Sequence, residues 1–220
     1  MEASFIRVKV TGMTPLLMSR MPDNFGPTVG DAKVKAEASP KTQEEADSRL
    51  AEKSAYRMNG SGSQLWFPAQ AFRSGLIQVA KEQRLPGPVL MRAGKKVKIS
   101  MEALLSGSIG LDAETERALL VHPKTGEALT AYKVDVRSAV NHACHPPARV
   151  RVVRALVPEW ACVVTFILTG LLLPRPEDVV EVMNLAGQII GVGALKPKPP
   201  KDSPAKVGGW MGKYTAELAA

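Results

Sequence analysis

The sequence predicts an α+β domain: an antiparallel sheet with helices on one face, and a long mobile insertion after the first strand. Three observations carry that expectation. The chain opens on strict period-two alternation. A helix with a broad apolar stripe lies near its end, between strand-like segments. A stretch rich in Gly, Pro and charge separates the opening strand from the next globular segment. At 220 residues, 45% hydrophobic and 23% charged, the chain is long enough for one sizeable core without disulfide staples. That composition excludes wholesale disorder, a collagen-like chain and a disulfide scaffold.

Taken in order, Ser4 to Thr11 alternates, with Ile6, Val8 and Val10 on one face and Phe5, Arg7, Lys9 and Thr11 on the other. This is a half-buried strand, stopped by Gly12 and Pro15. Residues 21–62 are read as an insertion with mobile ends and a polar helix in the charged stretch Lys41 to Lys53. Leu65, Trp66 and Phe67 lead into Pro68, which suits the first position of a helix. Ala69, Phe72, Leu76, Val79 and Ala80 continue that helix at 3.6-residue spacing, and Pro86-Gly-Pro88 ends it. Lys96 to Met101 and Leu129 to Val136 read as strands. Ser106, Gly107, Ser108 and Gly110 read as a turn, and Asn141 to Pro147 as a loop.

The last third is clearer. Arg149 to Val157 reads as a strand with Arg149, Arg151 and Arg154 toward solvent. Ala161 to Leu168 is almost continuously apolar and β-branched, as a central strand requires. Pro174-Arg-Pro176 opens a helix with Glu177 and Asp178 in its first turn, where acids suit the dipole. Val179, Met183, Ala186 and Ile190 form its stripe, and Gly191 caps it. A Gly-, Lys- and Pro-rich loop at residues 193–212 leads to a closing strand from Lys213 to Leu218. Strand, strand, helix, loop, strand is half of a split β-α-β sandwich, and the opening strand and the Pro68 helix supply the other half. Residues 1–220 form one domain in this reading.

Charge narrows the function. Twenty-nine Lys and Arg against 21 Asp and Glu leave +8, a balance that favours a polyanionic partner over solubility alone. Two clusters and one loop concentrate it. Arg92, Lys95, Lys96 and Lys98 form the first cluster; Arg149, Arg151 and Arg154, with Arg137 nearby, form the second. The loop adds Lys196, Lys198, Lys201 and Lys206, then Gly208, Gly209 and Trp210, so that lysines meet phosphates and an indole meets a base. Each is weighed against an ordinary solvated face or a surface loop with Trp210 tucked onto the core. The loop has no Gly-x4-Gly-Lys-Ser/Thr, and Gly191-x-Gly193 follows a helix rather than opening one, so neither nucleotide fingerprint is present.

Catalytic and metal signals are thin. His142, Cys144 and His145 match no closed zinc pattern, and His122 and Cys162 are distant in sequence. A Cys144 nucleophile beside its own sequence neighbour is poorly aimed. Asp135 and Asp31 are the only candidate acids, with a turn acid and a loop acid as the plainer readings. No cofactor and no metal are expected, and the balance is against an enzyme. The opening Met-Glu-Ala-Ser-Phe-Ile-Arg has no leader layout, the longest apolar run stops at Pro174, and two cysteines give no framework, so a reducing cytoplasm is expected.

Several segments then resemble a family of uncharacterised phage and prophage proteins. They are Val8 to Met18, Phe67-Pro-Ala69, Val134-Asp-Val-Arg137, Asn184 to Gly193 and Gly208-Gly-Trp-Met-Gly-Lys-Tyr214. In layout the chain is similar to the RAMP backbone subunits of CRISPR systems, although its Lys-Pro insertion departs from many of them. That resemblance implies a ferredoxin-like (RRM-like) core, an insertion after the first strand, a glycine-rich loop after the last helix, and copies lined up along a guide RNA. The expected function is single-stranded nucleic-acid binding, with RNA favoured, in a homo-oligomer along the strand and beside other CRISPR-type subunits. The alternatives are a phage recombination protein on single-stranded DNA, a RAMP-type endoribonuclease, and an assembly protein whose basic surface serves only subunit contacts.

Overall fold

The computed structural model of the chain describes residues 4–20, 42–58, 62–92, 95–111, 114–141, 148–170, 172–194 and 211–219. The opening alternation becomes β1 (Ser4–Gly12), with Ile6, Val8 and Val10 buried and Phe5, Arg7 and Lys9 exposed. Gly12 ends it because the Trp160 indole lies where a Cβ would stand. After the break, β2 (Leu16–Leu17) begins a second sheet. The polar helix is α1 (Gln43–Ser54), capped by the Thr42 hydroxyl, which accepts from the Glu45 amide at 3.1 Å. β3 (Trp66–Pro68) runs directly into α2 (Ala69–Glu82), so Pro68 is the cap residue rather than the first helical one.

Pro86-Gly-Pro88 both ends that helical stretch and starts β4 (Pro86–Arg92), which turns into β5 (Lys95–Ser100). The turn expected near Gly107 is instead the last turn of α3 (Met101–Ser108). Ser100 caps it by accepting from the Ala103 amide at 3.2 Å, and Leu104 and Leu105 are buried, so capping and burial override the Ser-Gly turn signal. Short β6 (Ile109–Gly110) and β7 (Arg117–Leu119) follow. The strand expected from Leu129 starts later, as β8 (Lys133–Asn141), and forms a long hairpin with β9 (Ala148–Val157). β10 (Ala161–Leu168), α4 (Pro176–Ile189) and β11 (Tyr214–Leu218) complete the order.

The result is a mixed α+β protein with antiparallel sheets. The main sheet has the order β11-β1-β10-β6; the others are β2-β9-β8, β3-β7 and β4-β5. In the main sheet Val8 stands opposite both Val164 and Leu218. Its inner face is covered where α2 and α4 pack together. Phe72 of α2 meets Tyr214 at 5.5 Å and Trp160 at 6.4 Å between ring centres. Asn184 of α4 clamps β11, donating to the Ala216 carbonyl at 2.8 Å and accepting from its amide at 2.7 Å. The outer face keeps Phe5, Arg7, Val163, Thr215 and Glu217 exposed.

Within residues 21–62, α1 is not loose. Ala51 and Ala55 are buried, Asp47 pairs with Arg151, and Ser54 Oγ accepts from the Ala155 amide at 2.7 Å. Residues 21–41 and 59–61 lie outside the described residues; of the loop expected over Asn141 to Pro147, Asn141 instead ends β8 and 142–147 lie outside the described residues. Among the described residues no helix is long and apolar enough to cross a membrane.

Candidate nucleic-acid interface

From Gln83 to Met101 the sequence contains no acid, and that stretch is the β4–β5 hairpin. Among the described residues the two strands pair only with each other, and the hairpin leans on α3 at its base. Lys95, Lys96 and Lys98 are exposed, and none forms an ion pair among the described residues. Register places Lys95 opposite Arg92, Lys96 opposite Met91 and Lys98 opposite Val89, so the lysines fall on both faces of the ribbon. Val89, 53% exposed, shares the face of Lys96 and Lys98, and Val97, 40% exposed, shares the face of Lys95, so each basic face also carries one apolar side chain.

The second cluster is not one surface. Strand parity puts Arg151 and Arg154 on opposite faces of β9. Arg151 faces α1 and is held by Asp47, with an Nε to Oδ1 distance of 3.3 Å. Arg137 of β8 is held by Asp135, which accepts from Nε at 2.7 Å and from Nη2 at 3.0 Å. Arg149 is placed by register alone, opposite Val140. Arg154 stands opposite Asp135. Both oxygens of that carboxylate accept from Arg137, and Arg154 itself forms no ion pair among the described residues.

After α4 the glycines serve the backbone itself. Gly191, Gly193 and Gly212 have φ of 64°, 81° and 71°, a region costly for other residues. The Val192 amide donates to the Gly212 carbonyl at 2.9 Å, Ala194 to Leu17 at 2.8 Å and Gly212 to Pro15 at 2.8 Å. A Cβ on Gly193 would lie 2.6 Å from the Leu17 carbonyl. These three amides are therefore spent on backbone carbonyls, of Gly212, Leu17 and Pro15, not left open toward a phosphate. The loop residues Lys196, Lys198, Lys201, Lys206, Gly208, Gly209 and Trp210 lie outside the described residues.

That same turn forms one wall of a pocket of about 490 Å³. Gly191 to Ala194 line it together with Pro68, Ser74, Tyr56 and Arg154. The Tyr56 ring is fixed by its hydroxyl, which donates to the Ser19 carbonyl at 3.3 Å, and by Trp66 at 5.0 Å between ring centres. Burial pushes the Tyr56 phenol above its ordinary value, so it stays neutral at physiological pH.

Among the described residues no group of three His, Cys, Asp or Glu could hold a metal. His122 Nε2 lies 3.1 Å from Glu159 on the surface. Cys162 is buried, and desolvation pushes its thiol far above the ordinary value, leaving it inert. Asp31, His142, Cys144 and His145 lie outside the described residues.

Phe5, 57% exposed, and Arg7 share the open face of β1, where the alternation of the sequence places them, although they were not among the candidate site residues. Tyr56, in the pocket, carried no signal in sequence, because it is assembled with Arg154 only by the fold.

No family model matches the chain, and no curated protein matches it. Among solved structures it is similar to the crystal structure of Cmr6 from Pyrococcus furiosus, with a TM-score of 0.43 and 12% identity over 98% of this chain and 99% of that one.

Proposed function

We propose that this protein binds single-stranded nucleic acid, RNA foremost, as a backbone-type subunit that lies in several copies along the strand. The observation that carries the reading is the β4–β5 hairpin. It presents three exposed lysines without ion-pair partners among the described residues, on a ribbon with no acid in either strand and with Arg92 in register opposite Lys95. A surface of this kind neutralises phosphates irrespective of base and releases their counterions. The preference for RNA rests on the sequence resemblance to RAMP subunits. A ferredoxin-like core belongs to the same proposal. Its support is the run β1, α2, β6, β10, α4, β11 and the strand order β11-β1-β10-β6 with α2 and α4 packed together.

Affinity for an unstructured oligonucleotide, measured across a salt series, tests the function. The logarithm of affinity should fall linearly with the logarithm of salt. Replacing Lys95, Lys96 and Lys98 by Ala should flatten the slope by about 2, since each phosphate neutralised on a single strand contributes ~0.7. A flat response in the wild-type protein would remove the proposal.

A further inference from the structure

Arg154 is a half-buried guanidinium in a concave site, and its nearest strand neighbour of opposite charge does not answer it. Register sets Asp135 across from it, yet Arg137 takes both oxygens of that carboxylate. A partly buried cation with no ion-pair partner among the described residues favours an anionic ligand. The pocket around it has the volume of a small-ligand site, within the usual range of roughly 300 to 1,000 Å³. It also has the right chemistry. Arg154 offers a planar, permanently charged fork suited to phosphate oxygens. Ser19 and Ser74 stand on the exposed rim, and the immobilised Tyr56 ring and Pro68 give flat apolar surface.

We infer that this pocket is a subsite for one nucleotide, with its phosphate on the Arg154 guanidinium and its sugar and base against Tyr56 and Pro68. The inference rests on the nucleic-acid reading but uses a different surface from the hairpin, and the two fail separately. The shared chemistry is a nucleoside monophosphate. Its source is either a free nucleotide or a residue turned out of a bound strand, as single-stranded RNA presents its unstacked bases to aromatic rings.

Two ligands and three proteins test it. The ligands are a 5′-mononucleotide, followed by ligand-observed NMR at millimolar concentration, and an unstructured oligonucleotide, followed by anisotropy. The proteins are the wild type, Arg154→Gln and the Lys95/Lys96/Lys98→Ala variant, each first checked for an unchanged melting temperature; Arg154→Met, neutral and of similar length, replaces Arg154→Gln if the latter melts early. The wild type and the hairpin variant should both bind the mononucleotide, and Arg154→Gln should not. Arg154→Gln should also weaken oligonucleotide binding about tenfold, the loss expected when a charge-assisted hydrogen bond is removed. If Arg154→Gln fails to bind the mononucleotide but keeps full affinity for the oligonucleotide, the pocket takes a free nucleotide. A wild type that does not bind the mononucleotide, or an Arg154→Gln variant that still does, overturns the inference. An oligonucleotide that never binds would overturn the proposed function and leave the mononucleotide result to stand or fall by itself.

Discussion

Asp47 is an acid buried between α1 and β9, tolerated there because Arg151 and Gln43 donate hydrogen bonds to it. Those bonds, that from Arg151 first, hold its carboxyl below the ordinary value of 3.8. A carboxyl whose pKa is depressed by folding contributes stability above its unfolded value and loses it as pH falls through the folded one. The contribution is thus whole at neutral pH and vanishes only below 3.8. Asp47→Asn should melt earlier than the wild type at neutral pH, and the gap should close as the solution is acidified below 3.8. Thermal melts of both proteins along a pH series check this. A gap that stays constant in acid would show that the ionised pair contributes nothing. The residue matters beyond stability because it engages Arg151, so the second basic cluster offers less free charge than its composition implies.

At the scale of elements, two glycines in helices make opposite forecasts. Gly75 in α2 has no atom within 4 Å of where a Cβ would stand, so Gly75→Ala should stabilise by about 0.5–1 kcal/mol through helix propensity. Gly187 in α4 lies against the Tyr214 carbonyl and ring, where a Cβ collides. Gly187→Ala should force α4 off β11 and destabilise by about 1–3 kcal/mol. Denaturant melts of the two variants distinguish them, and equal shifts would contradict the packing of α4 on β11. The stripe of α4 was legible because Val179, Val182, Met183 and Ala186 all repeat at helical spacing and all are buried. So was β1, whose alternation is strict. α3 was not, because Ser106 and Gly107 read as a turn while the helix is held by the Ser100 cap and two buried leucines. The docking of α1 was not legible either, since Asp47 and Arg151 are 104 residues apart. Long-range pairing decides which cations remain free, and composition carries no trace of it. The hairpin cations could be found from sequence because they are clustered and lack local acids. The Arg154 pocket could not, because its walls come from β3, α2, β9 and the turn after α4.

For the whole molecule, a charge of +8 would favour a polyanion wherever it sat, but its distribution says more. Among the described residues the hairpin strands pair with no other sheet, so the hairpin is a ribbon attached at one end. A ribbon of this sort covers a short length of strand, and one chain of this size cannot follow a long one. Several copies on one strand are the expected consequence if the backbone-subunit proposal holds. Light scattering with a long homopolymer, at saturating protein, should then report several chains per strand, while a short oligonucleotide should carry one. The Lys95/Lys96/Lys98→Ala variant should lose the large species on the long strand at moderate salt, because phosphate neutralisation there supplies the affinity. If a single chain saturates a long homopolymer, copies do not line up. The protein would then be a binder of isolated sites, and the Arg154 pocket rather than the hairpin would have to supply its selectivity.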